Sequence, residues 1–146
     1  MRRRSLPFVD ESFRGSGGVR VFRLDRERTI AALRQGARAL LDDVPESLEV
    51  RLFGSLARGD ATPRSDADLW ILLRSSTQPF VDRGAALSRF FDVAGLGCDV
   101  LAYTESEWEE LRRAGRRLVS VVDEEGMVLA RRAEIAATPP PRAPRA

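Results

Sequence analysis

Two aspartates, one residue apart, stand at the start of an apolar run. Asp66 and Asp68 occur in SDADLWILL, and residues 67–73 have the almost wholly apolar composition of a strand covered on both faces. Alternate residues of a strand share a face, so the two carboxylates are expected to project together, about 6–7 Å apart at their Cα atoms. Such charges repel each other and are costly beside a core. A hard cation such as Mg²⁺ would relieve both penalties.

A third carboxylate is available on another predicted strand. Asp99 lies in CDVLAY, where a charge interrupts an apolar run. Asp92 is a rival, but it falls at the end of a predicted helix, where an exposed residue is the simpler interpretation. Trp70 would share the face of Asp66 and Asp68, and Tyr103 that of Asp99; each is interpreted as a core residue or as part of a base pocket, with the core favoured for Trp70.

A Gly-Ser pair ends the strand that precedes the aspartates. Gly54 and Ser55 open SLARG, which is predicted to form a short helix. Backbone N–H groups at a helix start bind anions, and a glycine lets a phosphate approach the backbone closely. The Ser55 hydroxyl can add a hydrogen bond. Phosphate binding beside a carboxylate cluster is a layout for Mg²⁺-dependent nucleotidyl or phosphoryl transfer.

The elements predicted around these residues form a small sheet with helices packed on it. Apolar periodicity, caps and glycine positions predict helices at residues 25–42, 79–95 and 105–122 and strands at residues 19–24, 47–53, 67–73, 98–103 and 126–132. The order predicts one α/β domain with a small mixed sheet at residues 19–135. Residues 1–18 are predicted to be a flexible Arg/Gly-rich tail and residues 136–146 a disordered Pro/Arg-rich tail.

The composition narrows the chemistry. The 146 residues contain no histidine and one cysteine, which removes histidine-based triads and most zinc sites and fits a reducing, cytoplasmic compartment. No apolar run is long enough for a membrane span, and the N-terminus is no secretory signal. All 24 basic residues are arginine, but their excess lies near the termini. The core is therefore not expected to bind nucleic acid directly.

The stretch GSLARGDATPRSDADL is similar to the signature of the DNA polymerase β-like nucleotidyltransferase superfamily, in which Gly-Ser precedes Asp-x-Asp by ten residues. The sequence LFGSLARG…SDADL most resembles that of the minimal nucleotidyltransferases of toxin–antitoxin pairs. The later CDV matches the place of the third carboxylate in that family, and GMVLA resembles its last strand. The likeness covers roughly residues 19–132.

The resemblance implies roles for particular residues. Gly54 and Ser55 would contact the nucleotide phosphates, while Asp66, Asp68 and Asp99 would bind one or two Mg²⁺ ions. Asp99 would also help to deprotonate the attacking hydroxyl, and pyrophosphate would leave. Two loop arginines are further candidates for neutralising phosphate charge, although such residues are more often solvated. They are Arg58 and Arg64.

The same resemblance implies an antitoxin that transfers AMP from ATP to a tyrosine of a cognate HEPN-domain toxin. One alternative is an adenylyltransferase acting on a small molecule such as an aminoglycoside, although those relatives usually add a helical acceptor domain. Another is a non-catalytic antitoxin that acts by contact alone, which would have no reason to hold three costly carboxylates together. The sequence leaves open the nucleotide, the acceptor and a homo- or hetero-oligomeric state.

Overall fold

The computed structural model describes residues 9–14 and 20–133. The strands are β1 (Val9–Arg14), β2 (Arg20–Leu24), β3 (Ser47–Phe53), β4 (Ala67–Leu73), β5 (Cys98–Thr104) and β6 (Met127–Arg131). The α-helices are α1 (Arg26–Asp43), α2 (Gly54–Arg58), α3 (Phe80–Leu87), α4 (Glu105–Arg113) and α5 (Arg117–Glu125), and a 3₁₀ helix follows α3 at Ser88–Ala94. The proline-rich segment predicted at residues 136–146 lies outside the described residues.

Four of the strands form a mixed sheet in the order β5-β4-β3-β6. Strand β3 runs antiparallel to both β4 and β6, whereas β4 runs parallel to β5. The predicted small α/β fold with a mixed sheet is confirmed, with β4 in an interior position. Strands β1 and β2 form a separate antiparallel pair, and β1 lies within residues 1–18, for which the sequence indicated no regular element.

Helix α1 covers one face of the sheet with the stripe that its periodicity predicted. Ile30, Leu33 and Leu40 are buried in one cluster with Ile71 of β4 and Phe91 of the 3₁₀ helix. Burial of each large aliphatic side chain stabilises the fold by about 1.5–3 kcal/mol. The Asp25 side chain begins the helix by accepting from the backbone N–H of Arg28. The sheet is thereby fixed from this side as a rigid platform.

Helices α4 and α5 cover the opposite face, and the single helix predicted over residues 105–122 is wrong. The chain leaves the helical path at Gly115, whose φ is +65°, and restarts at Arg117. The break lets two short helices pack on the sheet at different points. Trp108 of α4 lies on Trp70 of β4 with ring centroids 5.0 Å apart, and Val122 of α5 is buried in the same cluster.

Arginine side chains donate hydrogen bonds to backbone carbonyls near the ends of helices. Arg132 donates to Leu41 and Val44 at the end of α1, a helix whose last turn has no basic residue. Arg26 donates to Leu56 and Ala57 of α2 in the same way. One planar guanidinium can reach two carbonyls, which a lysine ammonium does less well. This gives several of the arginines a structural use that the composition alone did not reveal.

A buried arginine ties α3 to α4. Arg83 is 4% exposed and donates to both carboxylate oxygens of Glu107, at 2.7 and 2.9 Å. Glu107 also accepts from the backbone N–H of Thr104, completing the capping box predicted at the start of α4. The hydrogen bonds from Arg83 are the main cause that lowers the pKa of Glu107 below its usual value of 4.5.

Replacing Glu107 with glutamine is expected to lower the free energy of unfolding at neutral pH by about 1 kcal/mol, because the Arg83 guanidinium then donates to one neutral amide oxygen instead of to both oxygens of a carboxylate, at a partly solvated site. A carboxyl group with a depressed folded-state pKa stabilises the fold above its unfolded-state pKa and loses that effect as the pH falls through the folded value. In urea unfolding measured from about pH 7 down to pH 3, the free energy of unfolding should therefore fall less steeply with decreasing pH in Glu107→Gln than in the natural chain. Parallel curves would contradict this assignment.

Candidate active site

The first two aspartates of the predicted site lie where β4 begins. Asp66 immediately precedes β4 and is exposed, while Asp68 is the second residue of the strand and is half-buried. In the parallel pairing of β4 with β5, Asp68 lies opposite Asp99. In the antiparallel pairing with β3, it lies opposite Phe53, the residue before Gly54. The strand register thus brings Asp66, Asp68, Asp99 and the Gly-Ser turn together at one edge of the sheet, the edge formed by the starts of β4 and β5 and the end of β3.

Gly54 lies so close to the Asp68 carboxylate that a side chain at this position would displace that carboxylate. Its φ is +74°, a conformation that residues with a side chain rarely adopt. A Cβ atom on Gly54 would lie 2.1 Å from Oδ2 of Asp68 and 3.0 Å from its Cγ. The end of β3 therefore turns sharply into α2 and leaves its space to the carboxylate.

A second glycine stands in the same relation to Asp66. A Cβ atom on Gly97 would lie 2.3 Å from Oδ1 of Asp66, and the Gly97 carbonyl accepts a hydrogen bond from the Ala67 N–H at 2.8 Å. Gly97 is not among the site residues predicted from the sequence. The one available signal was a glycine two residues before Asp99, which by itself indicates no more than a loop.

The three carboxylates influence one another electrostatically. Burial is the largest cause that raises the pKa of Asp68, followed by the negative charges of Asp99 and Asp66. The positive charge of Arg58 opposes them. A carboxylate whose charged form is disfavoured by burial and by two neighbouring acids is a common feature of functional sites.

The donor chemistry at this edge fits a hard divalent cation, because the candidate ligands are all carboxylate oxygens. The glycines at positions 54 and 97 leave room for two of these carboxylates, Asp68 and Asp66, to lie against the backbone. In the described part of the chain, however, no group of three or more His, Cys, Asp or Glu side chains is already arranged to hold a metal ion. The support for Mg²⁺ is thus the strand register, the type of donor atom and the raised pKa of Asp68 beside two other acids.

The two candidate arginines differ in their surroundings. Arg58, at the end of α2, donates to Glu125 of α5 at 3.1 Å and to Asp60 at 3.4 Å, and the hydrogen bond with Glu125 is the main cause that raises the pKa of Arg58. Its charge still acts on Asp68. Arg64 is exposed in the turn before β4. The structure therefore places Arg58 beside the carboxylates but in contact with other acids.

Three further residues considered from the sequence lie in the core, against aromatic rings or at the surface. Trp70 is 3% exposed beneath Trp108, so the core interpretation holds for it. Tyr103 contacts the rings of Phe80 and Trp108 at centroid distances of 4.8 and 5.2 Å. Asp92 is exposed on the 3₁₀ helix.

The cysteine is also unsuited to catalysis. Burial, together with the charges of nearby aspartates, raises the pKa of Cys98 to about 12. Its thiol is therefore protonated at neutral pH and is not a nucleophile.

Comparison with known proteins supplies a family for this arrangement. A sequence model described as nucleotidyltransferase domain matches residues 33–125. A Sulfolobus solfataricus protein assigned to the nucleotidyltransferases superposes with a TM-score of 0.54 at 22% identity, over 75% of this chain and 86% of that chain. The likeness shows a shared fold. No curated protein matches the chain.

Two toxin–antitoxin structures are more distant. One, determined with AMP-PNP, has a TM-score of 0.44 at 22% identity, over 75% of this chain and 76% of that chain. The other, a mutant of the MntA–HpeT pair, has a TM-score of 0.45 at 20% identity, again over 75% of this chain and 76% of that chain.

No helix in the described part of this chain is long and apolar enough to cross a membrane.

Proposed function

Because this chain belongs to the nucleotidyltransferase domain family, we propose that it transfers AMP from ATP to a tyrosine hydroxyl of a partner protein. The partner would be a cognate HEPN-domain toxin in the cytoplasm, and Mg²⁺ would be the metal. The observation that carries the proposal is the pairing of Asp68 with Asp99 across β4 and β5, with Gly54 packed against Asp68. An edge with three acids beside a glycine turn suits a triphosphate and its metal better than it suits a neutral substrate.

The three carboxylates would bind the metal ion, and one of them would also accept a proton. Asp66, Asp68 and Asp99 would hold Mg²⁺, which when bound neutralises phosphate charge and favours in-line displacement. Asp99 is exposed on the edge strand β5, where it would accept the proton of the attacking hydroxyl. The new bond joins the acceptor oxygen to the α-phosphorus, the bond from that phosphorus to the bridging oxygen breaks, and pyrophosphate leaves.

The Gly-Ser turn would bind the leaving phosphates. Gly54 has no Cβ atom to block them, and the Ser55 hydroxyl and nearby backbone N–H groups can donate hydrogen bonds. Arg58 would add positive charge if it left Glu125 for the nucleotide, and Arg64 would do so from the exposed turn. These are binding roles, distinct from the proton transfer assigned to Asp99.

The exposure of the site favours a large acceptor. Asp66, Gly97 and Asp99 are all exposed, so the edge that carries the carboxylates is open to solvent. A protein hydroxyl can reach an open edge without any opening of a lid. A small acceptor such as an aminoglycoside would need additional binding surface, because small ligands usually bind in concave pockets that enclose most of their area.

The test is an incubation of the chain with ATP labelled at the α-phosphate, Mg²⁺ and the protein encoded by the neighbouring gene, which the proposal expects to be a HEPN-domain toxin. Label should appear on that protein and should disappear when its acceptor tyrosine is changed to phenylalanine. Label on an aminoglycoside but not on the protein would favour the small-molecule alternative. Inhibition of the toxin without any label would favour an antitoxin that acts by contact alone.

A further inference from the structure

We propose that Gly97 is a positioning residue that sets the position of the Asp66 carboxylate at the end of the sheet that also carries Asp68 and Asp99. The inference rests on the proposed metal-binding role of these aspartates. Gly97 lies in the link between the 3₁₀ helix and β5, next to the strand that carries Asp99. It therefore connects the two parts of the site that the sequence places far apart.

The steric contact is specific to Asp66. The three heavy atoms nearest to a Cβ atom at position 97 all belong to the Asp66 side chain, with Oδ1 at 2.3 Å and Cγ at 3.2 Å. A real Cβ atom essentially never lies within 3.0 Å of such an atom. Any residue other than glycine at this position would therefore push the Asp66 carboxylate out of its present position.

The usual reasons for a glycine do not apply at this position. Its φ is not among the positive values, which among the described glycines occur at Gly54, Gly59, Gly95 and Gly115. Gly97 is exposed, so no core packing requires a small residue there. An alanine could adopt the backbone conformation, and the space taken by Asp66 is the remaining constraint.

A backbone hydrogen bond fixes the two segments while the side chain adapts. The Ala67 N–H, directly after Asp66, donates to the Gly97 carbonyl at 2.8 Å. Because this bond holds the backbones together, a clash at position 97 is relieved most easily by rotation of the short Asp66 side chain. An alanine is thus expected to change the site much more than the stability of the fold.

The experiment measures binding of Tb³⁺, a hard cation that prefers oxygen ligands, by luminescence sensitised through the tryptophans. The Asp66→Asn variant identifies the part of the signal that belongs to this site. Gly97→Ala should weaken that part by about tenfold or more, equivalent to about 1.4 kcal/mol, because one of three ligands is turned away. Unfolding of each variant without metal is measured in parallel.

The double variant Gly97→Ala/Asp66→Ala keeps the test decisive. If Gly97→Ala lowers the melting temperature, removal of the Asp66 side chain should remove most of that loss, since the clash is with this carboxylate. Equal Tb³⁺ binding by Gly97→Ala and the natural chain, or a loss of stability that persists in the double variant, would overturn the positioning role. A natural chain with no Asp66-dependent Tb³⁺ binding would instead overturn the metal site on which the proposed function depends.

Discussion

Replacing Asp68 with asparagine is expected to reduce the rate of nucleotide transfer by about 10³-fold or more, with little change in the fold. Stabilisation of transition-state charge by a metal is worth several kcal/mol, and each 1.36 kcal/mol changes a rate tenfold. Asparagine keeps the size of the side chain beside Gly54 but removes the charge that would hold the cation. Because burial and two neighbouring acids raise the pKa of Asp68, its neutralisation relieves repulsion in the metal-free chain. The melting temperature without metal should therefore be unchanged or higher.

The measurement is the initial rate of label transfer from ATP, with Asp92→Asn as the matched control. Asp92 is an exposed acid close enough for its charge to help to raise the pKa of Cys98, as do the charges of Asp66 and Asp99. It lies on the 3₁₀ helix and outside the register that joins β4 to β5. A loss in Asp92→Asn that equals the loss in Asp68→Asn would show that general negative charge matters, rather than the carboxylate opposite Asp99.

Replacing Gly54 with alanine is expected to have the second largest effect, an about 100-fold or greater loss of transfer. The new Cβ atom would require the Asp68 carboxylate, 2.1 Å away, to move, and misplacement of a reacting group by about 1 Å can cost 10²-fold in rate. The positive φ at this position adds strain of about 1–3 kcal/mol. Stability and activity should both fall, and the fall in activity should persist at temperatures where the variant is fully folded.

Gly115 provides the control for backbone strain. Its φ is +65°, close to the +74° of Gly54, but a Cβ atom there would meet nothing within 4 Å. Gly115→Ala should therefore show a comparable loss of stability with nearly unchanged transfer. If the two variants lost activity to the same degree, strain alone would explain the effect and the contact with Asp68 would have no separate role.

The sequence predicted the central part of the fold because its signals are local. The apolar run at residues 67–73 and the interrupted run around Asp99 have strand composition whatever surrounds them. The two-residue period of a strand then placed Asp66 and Asp68 on one face. Pairing of Asp68 with Asp99 followed only after the strands were set side by side in parallel, which the structure supplies.

Features that depend on contacts across the chain could not be read from the sequence. The break at Gly115 was missed because an isolated glycine inside a helix costs only about 1 kcal/mol, so an apolar stripe continuing past it still favours one helix. The contact of Gly97 with Asp66 joins two loops, and that of Arg58 with Glu125 spans 67 positions. No periodicity connects such pairs.

The proposed activity is nucleotidyl transfer at the end of the sheet where Asp66, Asp68 and Asp99 lie. The most direct measurement supplies the chain and the product of its neighbouring gene, the expected HEPN toxin, with ATP labelled at either the α- or the γ-phosphate. Nucleotidyl transfer predicts that the α-label joins the acceptor while the γ-label leaves as pyrophosphate, and that Asp68→Asn slows both by about 10³-fold or more. Transfer of the γ-label to the acceptor, or α-label transfer that is unchanged in Asp68→Asn, would contradict it.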